Sequence, residues 1–400
     1  MGKRTKGEDQ EEEKAMKRKG MKKVVAALLT VALTAGLAGC GSKAPAEESK
    51  TESAKSETET SGETESEGKK SGRIGISMPT QSSQRWIIEG NEMKDQLEAM
   101  GYTVDLQYGE DLVDHQVNQI ENMLTKEIDV LIVGAIDSGA MTDIVKKVKD
   151  SGALVIAYDR LLMNTENVDY YATFDSIRIG ELQGGYIVEK LGLEEGKGPF
   201  NIELFAGSLD DNNTALYWEG AMNKLSPYID NGMLVVKSGQ TDMNQCATLR
   251  WDGAEAQKRM DNILSSAYSD GSHVDAVLAP YDGISIGVLS SLKAIGYGSE
   301  DMPYPIITGQ DAEIPSIKSI LAGEQTQTVF VNVKNLASVA VTMADQYLSG
   351  KEVEVNMVEY YDNGVKKVSG MAIDATSLDM DNAVEELVGS GYYTEEQIME

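Results

Sequence analysis

The chain has 400 residues, with 36 basic and 65 acidic side chains, two cysteines and two histidines. Residues 1–39 carry nine of the basic and five of the acidic groups, which leaves 27 and 60 beyond them, a net of −33. So acidic a remainder argues against nucleic acid and anionic membrane surfaces as partners. Two cysteines make no disulfide framework, and two histidines with no Cys/His cluster leave a transition-metal site, or any other cofactor, without support.

Met1–Gly20 is charged and unpatterned and reads as an upstream extension, since Met21-Lys22-Lys23 is the more natural start. Residues 21–39 read as a signal peptide, in which two lysines precede an apolar run from Val24 to Leu37 that is too short for a comfortable membrane span. Leu37-Ala38-Gly39-Cys40 resembles a bacterial lipobox, which implies cleavage before Cys40 and acylation of that residue. An uncleaved anchor is the alternative, and either way the rest of the chain faces outward, tethered to a membrane. Residues 40–71, almost wholly Ser, Thr, Glu, Lys, Gly and Ala, cannot bury a core and read as a disordered tether.

The roughly 330 residues that follow exceed one ordinary core and suit two lobes. Short apolar runs alternate with helical periodicity. Strands are expected at Arg73–Met78, Thr103–Tyr108, Asp129–Gly134 and Ala153–Ala157, with helices at Arg85–Met100, Asp114–Lys126 and Ser138–Ser151. A second series has strands at Asn201–Phe205, Met233–Val236, Val274–Leu278 and Tyr304–Thr308. Its helices lie near Ile177–Leu191, Thr214–Leu225, Ala254–Tyr268, Ile284–Ile295 and Ile314–Leu321. Continuous apolar strands spaced by helices mean parallel sheets covered on both faces. The fold class is therefore α/β, two Rossmann-like lobes with parallel sheets. Thr326–Val331 and the helix Lys334–Leu348 come late, where the chain is expected to cross back to the first lobe.

Ligands of open parallel sheets bind beyond the carboxyl ends of the strands. Arg85 and Trp86 follow the first strand, Asp159 and Arg160 the fourth, and Asp211 and Asn213 the first strand of the second series. Tyr281 and Asp282, then Gln310 and Asp311, follow later strands, and Trp251 lies in a loop before a helix. These side chains suit a monosaccharide. Asp accepts from a hydroxyl, Arg donates in a fixed fork, Asn does both, and a pyranose lays its C–H face on an aromatic ring. Other readings stay open. Asp211 and Asp282 suit helix N-caps, Trp86 and Trp251 suit a core, and Asp159–Arg160 suits a salt bridge within one lobe. No nucleophile elbow, phosphate loop or His-based triad is visible, so no catalytic residue is assigned.

At these residues the chain resembles the multiple-monosaccharide-binding lipoproteins of ABC sugar transporters, near the xylose-binding branch of the type I periplasmic binding proteins. The resemblance rests on Gln84-Arg-Trp86, Ala157-Tyr-Asp-Arg160, Asp210-Asp-Asn-Asn213, Leu249-Arg-Trp-Asp252, Pro280-Tyr-Asp-Gly283 and Gly309-Gln-Asp-Ala312, and covers Gly72 to the C-terminus. It implies two lobes joined by a three-segment hinge, with the first lobe over 72–173 and 332–360 and the second over 174–331 and 361–400. The family's sugar contacts fall on Arg85, Asp159, Arg160, Asn213, Trp251 and Asp311, with Trp86, Asp211, Tyr281 and Asp282 beside them. Two departures concern specificity. Xylose-type relatives carry Lys where this chain has Val331 and Asn where it has Tyr281.

The reading is an extracytoplasmic monomer, anchored through Cys40, that captures an aldose such as xylose, glucose, galactose or arabinose and delivers it to an ABC permease. A sugar-sensing subunit read by a membrane kinase or chemoreceptor is the rival, and a tethered glycosidase a weaker one.

Overall fold

The computed structural model describes residues 71–399. The signal peptide, the lipidated Cys40 and the tether expected from the sequence lie outside them.

The first sheet runs in the order β11-β12-β5-β4-β3-β1-β2. Its strands are β1 (Arg73–Met78), β2 (Thr103–Tyr108), β3 (Val130–Val133), β4 (Leu154–Tyr158), β5 (Tyr170–Phe174), β11 (Met357–Asp362) and β12 (Lys367–Ile373). All neighbours are parallel except β11 and β12. Ile76 lies level with Leu106 on one side and Ile132 on the other. Successive side chains of a strand point to opposite faces, and the core divides accordingly. Ile74, Ile76, Val130, Ile132 and Ile156 pack with Met93 and Leu97 of α1 (Gln84–Ala99) and with Leu336 and Ala340 of α9 (Val333–Leu348). Leu131, Val133 and Val155 pack instead with Ile120 and Met123 of α2 (Val113–Thr125) and Val145 and Val148 of α3 (Thr142–Asp150).

The second lobe repeats this plan with β7 (Leu234–Val236), β6 (Phe200–Leu204), β8 (Ala276–Leu278) and β9 (Ile306–Ile307), all parallel, in the order β7-β6-β8-β9. One face is covered by α4 (Ser176–Leu191) and α5 (Asn213–Asp230) through Ile187, Leu191, Ala221 and Leu225. The other is covered by α6 (Gly253–Ala267) and α7 (Asp282–Ala294) through Met260, Ile263, Val288 and Leu292. The helix α8 (Ile314–Leu321) packs with the C-terminal segment through Ile317, Ile320, Leu387 and Tyr392. A separate antiparallel pair joins β10 (Thr328–Val331) to β13 (Ala375–Leu378).

The chain passes between the lobes three times, at Phe174–Ser176, Val331–Val333 and Ile373–Ala375. The last passage was expected at 360/361 and lies further on. β12 stays in the first sheet beside β5, with Gly370 level with Tyr171, and second-lobe pairing resumes only at β13. Some elements also differ in extent. The Ser138–Ser151 helix begins at Thr142: the Ser138 carbonyl, which a helix would offer to the Thr142 N–H, accepts instead from the Met163 amide at 2.8 Å, while the Ser138 amide donates to the carbonyl of Asp210 in the other lobe at 2.9 Å. The Tyr304–Thr308 strand shrinks to Ile306–Ile307.

Candidate functional site

The carboxyl ends of β1, β2 and β4 in one lobe and of β6, β8 and β9 in the other face a single cavity of about 470 Å3. Nine of the ten expected ligand residues line it, namely Arg85, Trp86, Asp159, Arg160, Asp211, Asn213, Trp251, Tyr281 and Asp311. The lobes meet there. Arg85 Nη2 donates to Asp159 Oδ2 at 2.5 Å in its own lobe, and Nη1 donates to Asp311 Oδ1 at 3.1 Å across the cleft. Its Nε donates to Glu89 Oε1 at 2.7 Å, one helical turn on along α1. Arg160 Nε lies 2.8 Å from Asp211 Oδ2, again across the cleft. Asp159 and Arg160 are therefore not each other's salt-bridge partners. Asn213 Nδ2 donates to the Asp159 carbonyl at 3.0 Å, which also accepts from Tyr171 Oη at 2.5 Å.

The aromatic residues divide by role. Trp86 is buried, with the guanidinium carbons of Arg85 and Arg160 4.6 and 5.4 Å from its ring centre, so the ring carries both cations. Trp251 stands edge-on to Tyr217 and Tyr281, at centroid distances of 6.1 Å each. Gly207 makes room for it, since a Cβ there would lie 2.0 Å from Trp251 Cη2. Trp251 Nε1 and Gln310 Oε1 are buried at the cavity with no hydrogen-bond partner among the described residues. Such atoms are costly unless something else satisfies them.

Left-handed backbone concentrates here. Of ten described non-glycine residues with positive φ, five line the cavity: Asp111, Asp159, Arg250, Trp251 and Asp311. A bulky residue such as Trp251, with φ 58°, adopts this region only when its surroundings enforce it. The Arg250 amide donates to Ser208 Oγ at 2.8 Å, and the Asp311 amide to the Val329 carbonyl at 2.9 Å.

Burial dominates the electrostatics. Desolvation pushes the Asp311 carboxyl above its ordinary range; Arg85 opposes the rise and Asp159 adds to it. Desolvation likewise raises Asp211 against the pull of Arg160. Behind Arg85, desolvation pushes Glu89 up to about 7 although Arg85 pulls it down, and Asp159 adds to the rise.

Asp282 departs from expectation and does not line the cavity. It is fully buried, with Oδ2 accepting from the Glu313 amide at 2.8 Å and Oδ1 from Gln325 Nε2 at 3.2 Å. It braces the loop that carries Asp311. Asp211 does two jobs: one oxygen accepts from the Asn213 amide at 2.9 Å, as a helix-start residue does, while the other meets Arg160. Val331 is buried in the first core cluster, off the cavity wall. Sequence reasoning missed Asp111, Arg250 and Tyr217 as lining residues. The strand-end rule applied after Tyr108 would have found Asp111. Tyr217 sits inside α5 and carries no local signal.

The periplasmic binding protein domain family matches residues 74–352 of this chain. The chain belongs to the periplasmic binding protein family. It is thus a binding protein and not an enzyme, built on the two-lobed fold of that family's extracytoplasmic members. This binding protein is 56% identical over 324 residues to the multiple sugar-binding periplasmic protein SbpA of Azospirillum brasilense, covering 81% of this chain and 90% of that one. It is 54% identical over 327 residues to the multiple sugar-binding periplasmic receptor ChvE of Rhizobium radiobacter, covering 82% and 92%. Among solved structures it resembles an ABC transporter solute-binding protein of Clostridium phytofermentans with bound β-D-glucose. The two share 44% identity at a TM-score of 0.79, over 82% of this chain and 99% of that one.

Proposed function

We propose that this binding protein captures a monosaccharide, an aldose of the glucose, galactose, xylose or arabinose kind, between its lobes and delivers it to an ABC permease. The observation that carries the reading is the donor set in the cleft. Arg85, Arg160, Asp159, Asp211, Asp311, Asn213 and Trp251 converge from both lobes on one cavity, and a pyranose offers hydroxyls for the arginines, aspartates and asparagine and a C–H face for the tryptophan. The likeness to a glucose-bound structure at 44% identity supports it. Arg85, Trp86, Asp159, Arg160, Asp211, Asn213, Trp251, Tyr281 and Asp311 are the proposed ligand residues, with Asp282 as their support. The sugar hydroxyls would enter the Arg85–Asp311 and Arg160–Asp211 pairs, so ligand and closure share the same groups.

The anchored localisation is part of the proposal. Cys40, acylated after cleavage, would hold a monomeric binding protein at the membrane beside its permease, and the acidic tether would keep the domain clear of the bilayer. A sensory role rests on the same cleft, and the naming of one relative as a receptor supports it. Calorimetric titration with D-glucose, D-galactose, D-xylose and L-arabinose tests the binding reading. Heat from at least one, with affinity at least tenfold weaker in Asp311→Ala, is expected, and no heat from any removes it.

A further inference from the structure

Glu313 and Asn212 join the lobes, yet neither lines the cavity. Glu313 precedes α8. Its Oε1 accepts from Ser83 Oγ of the first lobe at 3.1 Å and from Tyr281 Oη of its own lobe at 2.9 Å. Asn212 precedes α5. Its Oδ1 accepts from the Leu161 amide at 2.8 Å and from Ser138 Oγ at 3.3 Å, both in the first lobe. The contacts to Ser83, Leu161 and Ser138 use different loops and form only when the lobes meet, whereas the Tyr281 contact lies within the second lobe.

We propose that Glu313 and Asn212 are closure-positioning residues. They set the balance between open and closed protein and so scale the affinity for every sugar by one common factor. The inference rests on the sugar-capture reading. If sugar is held by the closed form, the apparent dissociation constant is the intrinsic one divided by the fraction of protein competent to hold it. A contact that never meets the ligand enters only that fraction, so it cancels from the ratio of two sugars' affinities. Residues that touch the ligand, such as Asn213 or Asp311, enter both quantities and alter the ranking. The clasps are therefore places where affinity is tuned without altering selectivity.

The test is calorimetric titration of D-glucose, D-galactose and D-xylose into the wild type, Glu313→Ala, Asn212→Ala, Ser83→Ala and the Ser83→Ala/Glu313→Ala pair, with melting curves to confirm folding. Glu313→Gln, which keeps the shape, serves if the truncation does not fold. Glu313→Ala and Asn212→Ala are each expected to weaken every sugar that binds by about three- to tenfold, the effect of one or two hydrogen bonds. Ser83 lines the cavity and Tyr281 is a proposed ligand residue, so Asn212→Ala, whose partners lie off the cavity, carries the comparison of ranking. The ranking should be unchanged in Asn212→Ala, and Ser83→Ala should add little once Glu313 is gone. Unchanged affinities, or sugars that move by different factors in Asn212→Ala, overturn the inference. If none of the three sugars binds the wild type, the sugar reading has failed, and closure is then read by X-ray scattering on ligand-free protein. A larger radius of gyration in Glu313→Ala than in the wild type upholds the clasp, and an unchanged radius overturns it.

Discussion

Arg85 places one positive charge among three carboxylates, Glu89, Asp159 and Asp311, all buried. Only Asp159 and Asp311 line the cavity, so Glu89 serves to hold the guanidinium from behind. Glu89 also carries a pH signature. Its folded-state value, raised by burial to about 7, lies above the ordinary 4.5. For such an acid the stabilising contribution is complete below the unfolded value and is lost as pH rises through the folded one. The unfolding midpoint should therefore fall as pH climbs from the ordinary carboxylate range to about 7. Glu89→Gln should flatten part of that fall; Asp211, Asp311, Asp282 and Glu313, all raised chiefly by burial, contribute with the same sign. An identical pH profile in the variant would count against this assignment.

At the cavity wall, Arg160→Ala and Asp311→Ala should each weaken sugar binding at least tenfold, about 1.4 kcal/mol, since each removes a charged hydrogen-bonding group. Calorimetry on the two variants checks this, with melting curves to show that the fold survives. Gly207→Ala acts indirectly, because the added methyl would displace Trp251. It should weaken binding by a comparable factor, and tryptophan fluorescence should report the moved ring. The cavity lining was legible in the sequence where a strand end announces it, as for Asp159-Arg160 and Gln310-Asp311. It was misread at Asp282 because a carboxylate in the first turn of a helix can face a ligand or brace a neighbouring loop, and only packing decides between them. The clasp of Ser83 with Glu313 joins residues 230 positions apart, a pairing that no local pattern announces.

Among the elements, β1 to β4 and the helices between them were legible because buried parallel strands read as unbroken apolar runs. β11 and β12 were not. The hairpin stands at the edge of the sheet, and Glu359 and Tyr360 leave β11 polar and partly exposed, with Val358 open to solvent. Without that edge strand in view, the last passage between lobes was placed too early. The pair α4 and α5 packs backbone to backbone near the site. A Cβ at Gly180 would lie 2.1 Å from the Tyr217 carbonyl oxygen, and one at Gly220 would lie 2.0 Å from that of Ile177. Gly180→Ala should therefore force the helices apart and cost about 1–3 kcal/mol in stability by overpacking. Because α5 carries Asn213 and Tyr217 into the cavity, sugar affinity should fall with it. Denaturant unfolding alongside a titration measures both, and an unchanged midpoint would contradict the packing account.

For the whole molecule, two parallel-sheet lobes joined by three chain passages form a hinge, and the charged pairs that span the cleft make closure and capture one event. In the proposed reading, an acylated Cys40 and the tether behind it add a location. Cys40→Ser should release the protein from the membrane fraction into the soluble extracytoplasmic fraction, and retention at the membrane would argue against lipidation as the anchor.

The most direct test of monosaccharide capture is thermal unfolding of the protein against a panel of aldoses, sugar alcohols and amino acids. A ligand at about a thousand times its dissociation constant adds roughly 4 kcal/mol, which raises the midpoint by several degrees. A rise with one or more of glucose, galactose, xylose and arabinose, absent with amino acids and reduced in Asp311→Ala, is the predicted result. A midpoint that no monosaccharide moves would contradict the account.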